Sequence, residues 1–208
     1  MNRGTSDRRP RTGHTGPDPA GIDWNAQLLD QLTFHWEHLL RPRLAGLTDD
    51  EYLWEPVPGM WSVRPRGASV TPPGAGSGDR VLDFAFPAPE PPPVTTIAWR
   101  LVHVIVGVFG LRVHAHFGGR PVDFDSHVCA ATAAGALAQL DEAYHRWTEG
   151  VAALGVDGLA RPCGPAEGPY ADAPLATLVL HIHREVIHHG AEIALMRDLY
   201  AASPPVRG

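Results

Sequence analysis

Two stretches of this sequence carry side chains able to hold a divalent ion. The first is LHIHREVIHHGAEI, Leu180 to Ile193, which sets His181, His183, His188, His189, Glu185, Glu192 and Arg184 among aliphatic residues. An α-helix turns about 100° per residue. With His181 at zero, Glu185 falls at roughly 40° and His189 at roughly 80°. Leu178, Ile182, Leu175 and Ile193 fall between roughly 60° and 120°. This places Glu185 and His189 inside an apolar arc, His188 at its edge, and His183 facing away. A carboxylate buried alone is costly, so Glu185 needs a cation, a proton or a partner there. His189 lies one turn on, on the same face, and a Glu and a His at i,i+4 can hold one divalent ion. The bland alternative is that the two simply pair with each other inside the core.

The second stretch is AWRLVHVIVGVFG, where His103 stands alone among aliphatic residues. A lone histidine on an apolar helix is more often a hydrogen-bonded core residue than a ligand. Only the company of Glu185 and His189 makes it a candidate third ligand. Gly107 and Gly110 flank it at roughly 40° and 340° on the wheel. A helical glycine costs about 1 kcal/mol relative to alanine, so close packing or open space above a site must offset it. His114 lies roughly 16 Å further along, too far to share an ion with His103. Arg100 and Arg112 read as solvent-facing.

The elements that must position these residues are helical. Asp23 opens a first helix over about 23–45, shortened or kinked near Pro42. The stretch after it carries Trp54 and Trp61 and is too proline-rich for a regular element, so it reads as an ordered loop. Residues 67–93 read as a long Gly/Pro-rich connection with a short extended piece at RVLDFAF. A second helix begins at Thr95 or Thr96 and ends at Gly118–Gly119. A third starts at Thr132 with the stripe Leu137, Leu140, Tyr144, Trp147, Val151, Leu154. A loop with Tyr170 leads into a fourth helix from about Pro174 to Ala201. Four long helices without a strand series predict an all-α four-helix bundle, a single domain over 22–208 behind a disordered tail at 1–21.

The chain has 208 residues and a formal net charge of -6, with no basic run to suit nucleic acid, which is therefore not an expected partner. No secretory signal is read at its start, and no apolar run is taken as a membrane span. Two separated cysteines, Cys129 and Cys163, read as buried small hydrophobes in a reducing, cytoplasmic setting.

A histidine in the middle of the second helix followed by Glu-x-x-x-His in the fourth resembles the DinB-like superfamily, which includes the mycothiol-dependent maleylpyruvate isomerase group. REVIHHGAEI is similar to that group's Arg-Glu-Val-x-x-His pattern, and the resemblance covers about residues 23–201. It implies His103, Glu185 and His189 as metal ligands in a four-helix bundle. It implies zinc, with nickel or another divalent ion as the alternative, and homodimers as a common assembly. The chemistry implied is that of a thiol S-transferase or isomerase, using a low-molecular-weight thiol such as mycothiol on a small electrophile. The chain leaves no room for the C-terminal domain that carries a functional arginine in the isomerase, which sets that particular reaction aside. An Ala-, Gly- and Pro-rich composition suits an actinobacterial source. His181, His188 and Glu192 are expected to border the ligands, and Trp61, Arg64 and Tyr170 to line the substrate's approach. A metal-dependent hydrolase and a non-catalytic, metal-stabilised bundle are the alternative readings.

Overall fold

Side-chain caps decide where the helices begin. The computed structural model describes residues 21–203; the expected tail at 1–21 lies, apart from Gly21, outside the described residues. Asp23 accepts from the Ala26 N–H and opens α1, which runs through Trp24–His35, a π-helical turn Trp36–Leu40 and a last turn Arg41–Arg43. In the π turn the Arg41 N–H reaches back five residues to the Trp36 carbonyl. Pro42 has no N–H to give and its ring crowds the preceding turn, so the wider winding accommodates it. Thr48 caps α2 (Asp49–Tyr52), Thr96 caps α3 (Ile97–Phe117) and Thr132 caps α4 (Ala133–Ala152). Gly118, at φ 77°, closes α3 in the left-handed conformation that glycine adopts without strain. A short α5 (Gly155–Ala160) and a 3₁₀ turn (Pro165–Tyr170) lead into α6 (Leu175–Ala202).

The fold is all-α in character, with four long helices, α1, α3, α4 and α6, around one core. α3 packs on α4 and α6, and α1 packs on the same two. Leu32, Leu101, Phe109, Trp147 and Ile182 are buried at its centre, and Trp36 stacks on Tyr144 with centroids 3.9 Å apart. Arg41 grips Asp141 with two bonds of 2.7 and 3.0 Å, tying α1 to α4. Arg197 does the same to Glu51, tying α6 to α2.

The loops are more structured than the sequence predicts. β1 (Val63–Pro65) pairs antiparallel with β2 (Arg80–Leu82), Arg64 opposite Val81. Asp83 is the hub of this region. Fully buried, it accepts from the Ser62 and Val70 N–H groups, the Ser69 hydroxyl and the Arg64 guanidinium. Four donors on one carboxylate explain why a charge tolerates full burial there. Trp61 is buried as expected, while Trp54 sits half-buried with its edge on Tyr200.

α3 corrects one expectation. Its 21 residues, at a mean hydropathy of 1.4 over the best window, are long and apolar enough to cross a membrane, and 56% of that window is buried inside the fold. The apolar residues that make it so, Ile97, Leu101, Val106 and Phe109, form the core that holds His103 in place.

Candidate metal centre and cleft

His103 begins a π-helical stretch, His103–Gly110, in the middle of α3. Here the Leu111 N–H reaches the Val106 carbonyl, five residues back, instead of the usual four. Wider winding changes the direction of every later side chain, and such stretches recur at functional sites. Arg112, solvent-facing on a regular wheel, instead turns into the cleft beside His103, and its guanidinium donates to the Gly107 carbonyl at 3.0 Å. Arg100 also lines this cleft. Burial draws its guanidinium below the ordinary arginine range, with Glu192 opposing the shift.

The two glycines of α3 answer to close packing. A Cβ at Gly107 would stand 3.2 Å from His103 Nδ1 and 3.1 Å from the Phe124 ring, and one at Gly110 would stand 2.9 Å from Val122. Trp99, one turn before His103, stacks on its ring with centroids 5.4 Å apart and planes 11° apart. The Trp99 indole donates to the Asp83 carbonyl at 2.7 Å, so the loop hub fixes the ring that fixes the histidine.

α6 brings its own residues to the same place. The His189 ring meets His103 edge-on, centroids 4.6 Å apart. His189 Nε2 lies 3.5 Å from Glu185 Oε2, and His189 Nδ1 lies 2.7 Å from Glu192 Oε2. A carboxylate only accepts, so Nδ1 carries the ring proton and Nε2 keeps its lone pair. Arg100 completes the group, its Nη1 3.1 Å from Glu192. Burial, aided by the neighbouring His189 and Arg100, pushes His103 down to about 4 and keeps it neutral near pH 7.

A cleft of about 560 Å³ opens over these residues. Trp61, Phe84, Trp99 and Phe124 form its aromatic side, and His103 and Glu185 its polar one. Thr95, 6% exposed, adds a hydroxyl without a partner among the described residues.

Some sequence-predicted residues fall elsewhere. Glu185 stands at the rim of α6 with its side chain 27% exposed, so the apolar arc is centred further round than the wheel markers imply. Val179, Val186 and Gly190 extend that arc and take His183 into the core against Trp147, where the wheel has it facing away. His181 lines the cleft and leans on Glu185 at 3.5 Å. His188 is exposed, 3.6 Å from Glu192. Arg64 is bound by Glu55 and Asp83 and does not line the cleft. Tyr170 lines a separate cavity beside the 3₁₀ turn. Trp99, Arg100, Arg112 and Asp83 were not singled out from the sequence. Trp99 alone carries a local signal, an aromatic four residues before His103.

His188, His189 and Glu192 also form a cluster that could hold a metal, with donor atoms all within 4.8 Å of one another. That cluster and the pair His103–His189 share one imidazole.

No match to a curated protein or a solved structure was found. The family profile described as the DinB superfamily matches residues 78–193, more than half of the chain and the whole span from β2 through α3 and α4 to His189 and Ile193, and the chain belongs to that superfamily.

Proposed function

We propose that this chain is a divalent-metal-dependent enzyme built on the four-helix bundle of its superfamily, with His103, Glu185 and His189 as the ligands. The observation that carries the reading is the meeting of the two imidazoles, 4.6 Å apart, with the Glu185 carboxylate 3.5 Å from the free Nε2 of His189, beside an aromatic cleft. The donor set fits a zinc-type ion: two neutral imidazoles and one carboxylate leave a coordination position open to the cleft. Glu192 orients His189 through Nδ1, as carboxylates behind histidine ligands do.

The alternative cluster of His188, His189 and Glu192 is less suited. It would take His189 through Nδ1, the nitrogen that Glu192 engages, and Arg100 already stands 3.1 Å from that carboxylate. A guanidinium so placed repels a second cation.

When bound, such an ion supplies Lewis acidity that lowers the pKa of a coordinated thiol or water. The rest of the chemistry belongs to the chain. Trp61, Phe84 and Phe124 exclude water and present a flat apolar wall to a small electrophile. The Thr95 hydroxyl and the spare guanidinium donors of Arg100 and Arg112 are placed to orient a polar group on it. This supports thiol transfer or thiol-assisted isomerisation of a small electrophile, with mycothiol as the thiol and zinc as the metal. In the transfer reaction the thiol's sulfur forms a bond to the electrophilic carbon, its proton is released, and the leaving group departs with the bonding pair. A homodimer working in the cytoplasm belongs to the same proposal.

The test is metal content by elemental analysis on protein purified without a histidine tag. Wild type is expected near one equivalent, and the double variant Glu185→Ala/His189→Ala near none. Full metal in the double variant would sink the ligand assignment. Full metal in Glu185→Ala with none in His188→Ala would move the site to the other cluster.

A further inference from the structure

A second cavity, of about 800 Å³, adjoins the metal-side cleft. Arg112 and His181 line both, so the two are separated by no more than these side chains. The outer wall of the second cavity is the 3₁₀ turn Pro165–Tyr170, and α6 at Thr177, Leu178 and Arg184 forms the inner one. That turn is anchored. Glu167 lies 2.9 Å from His116 Nε2 and 3.4 Å from Arg112, and its side chain is 9% exposed, which ties the wall to α3, the helix of His103.

The charges around this cavity cancel. Glu167 faces Arg112, and Arg184 stands 3.6 Å from Glu185 while bonding His181 Nδ1 at 2.6 Å. The donors are nevertheless not exhausted. Arg112 Nε has no acceptor among the described residues, and Arg184 and Tyr170 are mostly open to solvent. A near-neutral cavity with unused N–H and O–H donors and an exposed aromatic face suits a neutral, hydroxyl-rich group such as a sugar ring, and disfavours a polyanion.

We propose that the two cavities form one bipartite site, in which the second holds the neutral, hydroxyl-rich body of the thiol co-substrate and the thiol reaches past His181 to the metal-side cleft. This rests on the thiol reading above. It divides the labour: Arg112, Thr177, Tyr170 and Arg184 select the thiol's carrier, and Trp61, Trp99 and Phe124 select the electrophile.

The experiment is calorimetric titration of the zinc-loaded protein with mycothiol, glutathione and N-acetylcysteine, which share a thiol and differ in the body that carries it. Wild type is expected to bind mycothiol at least tenfold more tightly than either of the others. Arg184→Ala and Tyr170→Ala, both at exposed positions, are expected to lose that advantage while keeping wild-type zinc content and wild-type affinity for N-acetylcysteine. Equal affinity for all three thiols, tighter binding of the charged glutathione, or mycothiol binding untouched by both variants overturns the bipartite site and leaves the metal–thiol reading standing. Zinc-loaded wild type that binds none of the three overturns that reading and the bipartite site with it.

Discussion

Glu192 Oε2 lies 2.7 Å from His189 Nδ1, and that one contact sets which nitrogen of His189 faces Glu185. The carboxylate fixes the proton on Nδ1, and Arg100, 3.1 Å from the same oxygen, fixes the carboxylate. α3 and α6 are thus joined twice at this level, once by the Arg100–Glu192 pair and once by the edge-on His103–His189 contact.

Removing the orienting group is expected to weaken the metal without removing a ligand. Glu192→Ala should lower zinc affinity about 10- to 100-fold, the usual consequence of losing the carboxylate behind a histidine ligand. Glu192→Gln keeps an oxygen acceptor and should fall between. Competition against a chelator measures both. Wild-type affinity in Glu192→Ala would show that His189 needs no such support.

Asp83 is expected to be a stabilising residue rather than a reactive one. All of its donors come from the loop and β1, and none from the cleft. Asp83→Asn replaces an acceptor with a group that presents its own N–H to four donors, and breaking a buried ion pair of this kind costs about 3 kcal/mol or more. A large fall in the denaturant midpoint with unchanged zinc stoichiometry is the expected result. Unchanged stability would contradict the hub.

Gly150 is expected to resist a substitution that helix propensity favours. A Cβ there would overlap the Phe117 ring, which covers the glycine from the end of α3. Alanine gains about 1 kcal/mol in propensity, whereas overpacking costs about 1–3 kcal/mol, so Gly150→Ala should be net destabilising. Thermal melting of Gly150→Ala against Gly150→Ala/Phe117→Leu separates the two terms, since the double variant relieves the overlap.

How much of this was legible beforehand follows from where the information lies. Thr96, Thr132 and Gly118 mark helix ends because capping is local chemistry, readable from a few residues. The pairing of Glu185 with His189 was legible for the same reason, being one turn of one helix. Arg100 and Arg112 were misplaced on the solvent side because a wheel of fixed pitch cannot anticipate a π-helical stretch beginning at His103. Asp83 was invisible because its partners, Ser62, Arg64, Ser69 and Val70, are loop residues brought together only by the β1–β2 pairing. His183 was misread because the arc of α6 was centred on Leu178 and Ile182, without Val179 and Val186.

That misreading has a measurable consequence in acid. His183 is 6% exposed, packs edge-on to Trp147, and its Nε2 has no partner among the described residues. Burial pushes it down to about 4 from an ordinary 6.5. Above pH 6.5 the imidazole is neutral whether the chain is folded or not, and it contributes no pH dependence. As pH falls from 6.5 towards 4, the unfolded chain takes up a proton that the folded one refuses, so the metal-free protein loses stability over that window and the loss levels off below it. The total is about 3 kcal/mol for one such histidine. His183→Leu should therefore flatten the dependence, its stability difference from wild type shrinking or reversing between pH 7 and pH 4.5 in chemical denaturation of the metal-free protein. Groups that titrate alike in both proteins cancel in that difference. Parallel curves for the two proteins across the window would show that His183 gains a proton as easily inside the fold as outside it.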